Sequence, residues 1–191
     1  MIELRGKRTF LRRAWSEVDL DALVENYRRI QAMVPQATKL MAVLKANAYS
    51  CGDLAVARAL EQFSEDWYAV SNLNEALSLR RAGSKKRILI LGYTPPQEVE
   101  KLCLYNITQT AVSAEHAMSM AAACDNLGTV LDIHIKVDTG MGRLGLTAYG
   151  DELELSLRQA KEIMEHPCLH VSGIFTHLSC TYEPGGESDV Y

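Results

Sequence analysis

Residues 42–49 of this sequence read AVLKANAY, and they close an apolar run, residues 40–44, that has the length and composition of a buried β-strand. The run stops at Lys45, and a loop of small residues leads on through Tyr49 to Gly52. In a parallel α/β fold this order presents an amine at the carboxyl end of the sheet, where burial makes a lysine a nucleophile or a base. A surface lysine that closes a strand fits the local sequence equally well. Only the rest of the chain distinguishes a reactive lysine from an ordinary surface lysine.

The composition is that of a folded globular protein. The 191 residues are 48% hydrophobic and 23% charged, with a net charge of -4. Such a chain can bury the core of one domain or of a large part of one. Its mild acidity gives no basic surface for nucleic acid or for an anionic membrane. No apolar run approaches the roughly 18 residues of a membrane span, and residues 1–13 lack the apolar core of a signal peptide, so we expect a cytoplasmic protein.

The cysteines and acidic residues show no metal-binding pattern. The five cysteines are odd in number and scattered, without a C-x-x-C pair. This usage favours reduced thiols over a disulfide or zinc framework. The aspartates and glutamates also lack metal-ligand spacing, so we expect no metal site.

Strand and helix patterns alternate along most of the chain. Six short, mostly apolar stretches are predicted strands: 39–44, 67–70, 87–91, 107–112, 130–137 and 171–177. Helical patterns lie between them, and a further short strand is predicted over residues 14–18. The predicted helix N-caps are Asp19, Asp53, Asn72 or Asn74, Ser113 and Asp151.

Strands that are apolar on both faces and alternate with helices indicate a parallel sheet covered by helices. A doubly wound open sheet can use six strands, whereas a (β/α)8 TIM-type barrel needs eight and typically ~250 residues. The tail, residues 179–191, shows no further strand. An open sheet and an incomplete barrel therefore both fit, although the lack of a glycine-rich nucleotide motif after the first strand weakens the nucleotide-binding open sheets. We divide the chain into an N-terminal arm with a short strand, residues 1–18, and a barrel-type domain, residues 19–191.

Polar residues follow three of the predicted strands, at the edge where both architectures carry function. They are Lys45 after the first strand, residues 138–143 after the fifth and His177 after the sixth. Arg143 lies in a glycine-rich loop and could hold an anionic oxygen, but it also fits a solvated loop arginine. His177 could act as a base or stack on a planar ligand, but a lone histidine is more often structural.

Polar and apolar residues alternate along the fifth predicted strand. The isoleucines and the valine should face the helices, so the polar side chains should face the other way. In a barrel that direction is the lumen, where a buried charged network has to be paired. An edge strand with one wet face is the alternative. The polar residues are Asp132, His134, Lys136 and Asp138.

Three ordered stretches resemble the signatures of the alanine racemases. Residues 42–49 resemble the motif of the pyridoxal-phosphate lysine, residues 136–145 (KVDTGMGRLG) the second signature, and residues 173–178 (GIFTHL) the third. The resemblance runs from about residue 15 to residue 177. It implies an N-terminal (β/α)8 barrel, here incomplete with about six βα units, and a C-terminal β-domain that is absent from this chain. It also implies a homodimer for the full-length protein.

The resemblance implies a reaction and a role for each site residue. The reaction is the racemisation of L-alanine and D-alanine, which supplies D-alanine for peptidoglycan, with pyridoxal 5'-phosphate as cofactor. Lys45 would be the Schiff-base lysine and one of two bases. Tyr49 would contact the cofactor phosphate and His177 its pyridine ring, while Arg143 would bind its phenolic oxygen and the substrate carboxylate. Lys136 matches a lysine that is carbamylated in some members, and a carbamate would pair with Arg143 where two cations would repel.

Two departures from the family pattern stand out. Ser50-Cys51 replaces the usual Gly-His, which leaves open the loop geometry and the reactivity of a thiol near the cofactor. The last barrel strands and the second base, a tyrosine of the partner's C-terminal domain, have no counterpart. We therefore expect an N-terminal fragment with little or no racemase activity of its own.

Three other functions are compatible with these residues. One is a racemase of serine or another small amino acid, although Gly142 before Arg143 favours alanine. Another is a non-catalytic barrel protein that binds pyridoxal phosphate. The third is a decarboxylase on the same barrel, against which the signature at residues 138–145 argues.

Overall fold

The computed structural model describes residues 2–4, 7–9, 16–63 and 67–179. Two short antiparallel strands, β1 (Ile2–Leu4) and β2 (Lys7–Thr9), come first. The remaining strands form one parallel sheet: β3 (Met41–Val43), β4 (Trp67–Val70), β5 (Arg87–Ile90), β6 (Ile107–Ala111), β7 (Leu131–Asp138), β8 (Leu146–Thr147) and β9 (Leu169–Thr176). Strands β3 to β7 are neighbours in chain order, and both β8 and β9 pair with β7.

Helices connect the strands of the sheet. They are α1 (Leu20–Met33), α2 (Lys45–Tyr49), α3 (Asp53–Leu60), α4 (Leu73–Arg81), α5 (Val99–Leu104), α6 (Ala114–Leu127) and α7 (Leu153–Glu165). Single 3-10 turns, Pro96–Glu98 and Gly150–Glu152, precede α5 and α7. None of the helices in the described part of the chain is long and apolar enough to cross a membrane.

Three of the predicted N-caps are confirmed by their hydrogen bonds. The side chain of Asp19 accepts from the N–H of Ala22, that of Asn72 from Glu75 and that of Ser113 from His116. Each bond satisfies one of the N–H groups that the first turn of a helix leaves without an internal partner.

Two predicted N-caps are wrong. Gly52, not Asp53, precedes α3, and Asp53 is its first residue, with its N–H donating to the side chain of Asn47 at 3.0 Å. Asp151 lies inside the 3-10 turn, and α7 begins after Glu152 without a side-chain cap.

The ends of the chain differ in part from the sequence prediction. The predicted strand over residues 14–18 is not seen at residues 16–18, and residues 14 and 15 lie outside the described part. The arm expected to be extended over residues 1–13 contains the β1–β2 pair. The tail from residue 180 onward also lies outside the described residues.

The two faces of the sheet have different chemistry, as the alternation along the fifth predicted strand indicated for β7. One face packs against the helices and supplies the apolar core, for example Tyr68 and Ile88 from β4 and β5 and Ile133 and Ile135 from β7. The alternate residues point to the other face, because side chains of a strand alternate between its two sides.

The sheet is strongly curved. The rings of Trp67 in β4 and His134 in β7 lie 5.1 Å apart on the face away from the helices, although β5 and β6 lie between these strands. In a flat sheet three strand spacings of about 4.8 Å would separate them by roughly 14 Å. The sheet is therefore the wall of an incomplete barrel, and the open-sheet alternative is wrong.

Candidate active site

Lys45 lies two residues after the end of β3, at the carboxyl end of the sheet, and is half-buried. The five residues that follow, from Ala46 to Ser50, all have φ between 50° and 72°. None of them is glycine, and a left-handed conformation costs roughly 1–2 kcal/mol for each ordinary residue. Strain of this kind is concentrated at functional sites.

The strained turn is held by its own backbone hydrogen bonds. The N–H of Ser50 donates to the carbonyl of Ala46 at 3.2 Å, and the N–H of Gly52 donates to that of Asn47 at 3.0 Å. The turn carries Tyr49 back toward the lysine, so that the Lys45 Nζ lies 5.8 Å from the centroid of the Tyr49 ring. The sequence prediction placed a loop here and had no signal for a left-handed turn.

A carboxylate from α4 also holds the turn. Oε1 of Glu75 accepts from the N–H of Ala46 at 2.9 Å, and Oε2 accepts from the N–H and the hydroxyl of Ser71, both at 2.7 Å. Burial raises the pKa of Glu75, but these hydrogen bonds outweigh it and hold the pKa below its usual value. The sequence analysis missed this residue as part of the site.

The polar residues of β7 are buried except at its start. His134, Lys136 and Asp138 are 8%, 5% and 6% exposed, and the contact of His134 with Trp67 places these alternate residues on the face away from the helices, as predicted, whereas Asp132 is exposed and pairs with the side chain of His170. The wet edge-strand alternative is therefore wrong for residues 134–138, and β7 lies between β6 and β9 in the sheet.

Lys136 has a lowered basicity. Its Nζ donates to the carbonyl of Val137 at 2.9 Å and lies 5.5 Å from the centroid of the Phe175 ring. Burial lowers the pKa of Lys136, the charge of Asp138 opposes that shift, and the charge of Arg143 adds to it. A larger fraction of this amine is therefore neutral than for an ordinary lysine.

Asp138 organises the glycine-rich loop that follows β7. Its Oδ1 accepts from the N–H of Gly140 at 3.0 Å and of Gly142 at 3.1 Å. Burial raises the pKa of this carboxyl, but these backbone bonds and the charge of Lys136 lower it overall. Arg143, at the far side of the loop, is exposed.

His177 follows β9 and is exposed at the same edge of the sheet. The end of β9 is tied to the end of β7 by Thr176, whose Oγ1 bonds to the carbonyl of Val137 at 2.9 Å and to the Oγ1 of Thr139 at 2.8 Å. These threonines anchor the segment before His177, and no sequence motif had singled them out.

The fold thus brings the predicted site residues to one rim. Lys45, Arg143 and His177 follow β3, β7 and β9, which run parallel in one sheet, so all three lie at its carboxyl edge. An apolar cavity of about 440 Å³ lies elsewhere, between α1 and β3, and is lined by residues such as Leu23 and Val43 rather than by the rim residues.

Comparison with known proteins decides the family. Residues 18–190 match the family described as "Alanine racemase, N-terminal domain". The chain belongs to the alanine racemase family. The three motifs that indicated this family in the sequence are therefore confirmed, and so is the incomplete parallel barrel.

Named relatives of the alanine racemase family support the assignment. The alanine racemase of Carboxydothermus hydrogenoformans is 40% identical over 169 residues, which are 88% of this chain and 44% of that protein. The serine/alanine racemase of Enterococcus gallinarum is 38% identical over 170 residues, covering 89% of this chain and 23% of that protein. The chain therefore spans less than half the length of these curated relatives.

A solved alanine racemase has the same fold. The enzyme of Clostridium difficile 630, in complex with cycloserine, superimposes with a TM-score of 0.82 at 32% sequence identity. The match covers 90% of this chain and 46% of that one. The likeness thus extends over nearly all of this chain and over less than half of the solved enzyme.

Proposed function

We propose that this chain is the cofactor-binding barrel portion of an alanine racemase, which interconverts L-alanine and D-alanine with pyridoxal 5'-phosphate. The observation that carries the proposal is the half-buried residue Lys45 at the end of the first barrel strand, on the same rim as Arg143 and His177. The family assignment supports it, because these residues belong to the three motifs of that family.

The residues on the rim fit this cofactor. A primary amine is available to bind its aldehyde, the Tyr49 hydroxyl can donate to its phosphate, and the His177 imidazole can pack on its ring. When bound, the cofactor withdraws electrons from the α-carbon of the amino acid. Lys45 then serves as one of the two bases that remove and return the α-proton, and the Arg143 guanidinium holds the substrate carboxylate.

Lys136 is proposed to carry a carbamate. Its lowered pKa leaves more of the neutral amine to add to carbon dioxide, and the product, formed with release of one proton, is an anion next to Arg143. Labelled bicarbonate should give a carbamate signal in the carbon NMR spectrum that Lys136→Ala abolishes. An unchanged signal in that variant would contradict this part of the proposal.

Reductive trapping tests the cofactor and its lysine. The chain is incubated with pyridoxal 5'-phosphate, reduced with borohydride and mapped by peptide mass. We expect the adduct on Lys45, its loss in Lys45→Ala, and its retention in Lys39→Ala, which changes the lysine before the same strand. An adduct that survives Lys45→Ala would overturn the proposal.

Substrate preference is a separate question. Alanine is our proposal, and a serine racemase is the second candidate, because a relative at 38% identity is named a serine/alanine racemase. Lys45 alone can exchange the α-proton with solvent even where racemisation is slow. Faster deuterium incorporation into L-alanine than into L-serine in heavy water would support alanine, and the reverse would support serine.

A trapped adduct on Lys45 without deuterium exchange into alanine or serine would favour the non-catalytic barrel protein that binds pyridoxal phosphate. We expect little net racemisation by the chain alone, since its relatives are more than twice as long. A homodimer of the full-length protein and a cytoplasmic location remain predictions.

A further inference from the structure

Glu75 is used by none of the chemistry proposed above, yet it contacts the lysine segment. It lies in the first turn of α4, and its carboxylate bonds to two other segments. One oxygen accepts from the N–H of Ala46 and the other from the N–H and hydroxyl of Ser71. A single side chain thus joins the residue after Lys45 to the end of the neighbouring strand β4.

The bond to Ala46 is made where the left-handed turn begins. Later N–H groups of the turn donate to carbonyls within it, as those of Ser50 and Gly52 do. The N–H of Ala46 donates to Glu75, 29 residues further along the chain. Because Ala46 directly follows Lys45, the position of its amide fixes the direction in which the lysine leaves β3.

A simpler role for Glu75 would be that of a helix cap. It is the third residue of α4, its N–H donates to the side chain of Asn72, and its carboxylate also accepts from the backbone of Asn72, as in a capping box. That role involves only Asn72 and the first turn of α4 and needs no contact with Ala46. The 2.9 Å bond to Ala46 is therefore the observation that the helix cap leaves unexplained.

We propose that Glu75 is a positioning residue for Lys45: its carboxylate fixes the start of the left-handed turn and so holds the amine where it meets cofactor and substrate. The proposal rests on the proposed function only in taking Lys45 as the reactive lysine. Glu75 is an ionised acceptor at neutral pH, since its hydrogen bonds hold its pKa below the usual value despite burial.

Two measurements on the same variants test this role. The first is hydrogen exchange at the Ala46 amide in the chain without cofactor, and the second is the rate of borohydride-trapped adduct formation on Lys45. Glu75→Gln should speed hydrogen exchange at the Ala46 amide about tenfold and slow adduct formation on Lys45 about tenfold. The reason is that an amide oxygen is a weaker acceptor than a carboxylate oxygen, and the NH2 group cannot accept. The matched control is Asn72→Ala, which removes the cap of α4 and should leave both rates within about twofold.

The outcomes separate the two roles of Glu75. Equal changes in Glu75→Gln and Asn72→Ala would show a helix cap only and overturn the proposal. Ser71→Ala removes one bond to the carboxylate and keeps the Glu75 side chain, so it should slow adduct formation about threefold even if Glu75→Gln folds poorly. No effect of Ser71→Ala would also count against the proposal.

The test also separates this inference from the proposed function. Adduct formation at the wild-type rate in folded Glu75→Gln would overturn the positioning role and leave the proposed function standing. No adduct in the wild-type chain would overturn the proposed function, while faster exchange at Ala46 in Glu75→Gln would still support the link between carboxylate and turn.

Discussion

Gly173 lies against the imidazole ring of His134, so that a β-carbon at position 173 would stand 2.7 Å from the ring atoms Cε1 and Nε2. The two residues are partners between β7 and β9, where a bulge at Ser172 shifts the register. The His134 ring also contacts the ring of Trp67, with centroids 5.1 Å apart and a tilt of 50°. The bulge at Ser172 and the absence of a side chain at Gly173 together make space for the buried imidazole ring of His134.

Gly173→Ala should therefore destabilise the chain by about 1–3 kcal/mol, the usual cost of overpacking. The free energy of unfolding in urea measures it. In a His134→Ala background the same substitution should cost much less, because the ring that it meets is gone. Additive costs in the two backgrounds would contradict this account.

The glycine-rich loop contains two glycines with different tolerance. Gly145 has φ of 114°, and a β-carbon there would lie 2.7 Å from the carbonyl oxygen of Lys136. Gly142 has φ of 68°, and nothing lies within 4 Å of its added β-carbon. Gly145→Ala should cost roughly 2–4 kcal/mol, since backbone must move, and Gly142→Ala about 1 kcal/mol. Similar melting temperatures for both variants would refute the distinction.

Arg80 joins α4 to two loops by its guanidinium. It donates to four backbone carbonyls, those of Tyr105, Ser84, Lys86 and Asn106. Arg80→Lys should cost about 2–4 kcal/mol in urea unfolding, because an ammonium cannot reach acceptors on all these sides. Arg81, the exposed neighbour of Arg80, provides the control: Arg81→Lys should change the free energy of unfolding by less than about 0.5 kcal/mol. Equal effects at the two positions would rule out this bonding role.

His116 should make the stability depend on pH. Its Nε2–H donates to the carbonyl of Thr94 at 2.9 Å, its Nδ1 accepts the N–H of Val112 at 3.5 Å, and its ring contacts the ring of Tyr93, with centroids 4.7 Å apart. Burial lowers the pKa of His116 below 6.5, although the bond to Thr94 opposes the shift, and burial likewise lowers the pKa of His134.

The unfolded chain therefore binds more protons than the folded chain below about pH 6.5, so stability falls as the pH drops through this range. Urea unfolding at about pH 7.5 and about pH 5.5 measures the loss. His116→Gln keeps a donor for the carbonyl of Thr94 and cannot titrate, so this variant should lose less stability than the wild type when the pH is lowered. A loss as large as that of the wild type would show that His116 does not contribute.

Ser50 lies in the left-handed region with φ of 72°, a backbone conformation that favours glycine. Ser50→Gly should stabilise the chain by about 0.5–1 kcal/mol, because glycine adopts this conformation without strain. Ser78→Gly, inside α4, is the control and should destabilise by a similar amount. Thermal unfolding compares the two, and a lower melting temperature for Ser50→Gly would contradict the expectation.

Most elements could be predicted because their signals are local. Asp19 and Ser113 are N-caps whose partners lie three residues away, and the alternation along β7 predicted the inward direction of His134 and Lys136. The exception in β7 is Asp132, which belongs to the same alternate set as His134 and Lys136 but is exposed and bonds to the side chain of His170. Alternation predicts on which face of a strand each side chain lies, but it does not predict at which residue the side chains become buried.

The sequence by itself determined the alternation of strands and helices, the direction of each side chain along β7 and the residues that follow the predicted strands. Only the tertiary structure decided the curvature that brings Trp67 to His134, the left-handed turn after Lys45 and the bond from Glu75 to that turn. The physical reason is the range of the interactions. Periodicity and capping depend on neighbours within a few residues, whereas ring contacts and a carboxylate shared by two strand ends join groups far apart in the chain.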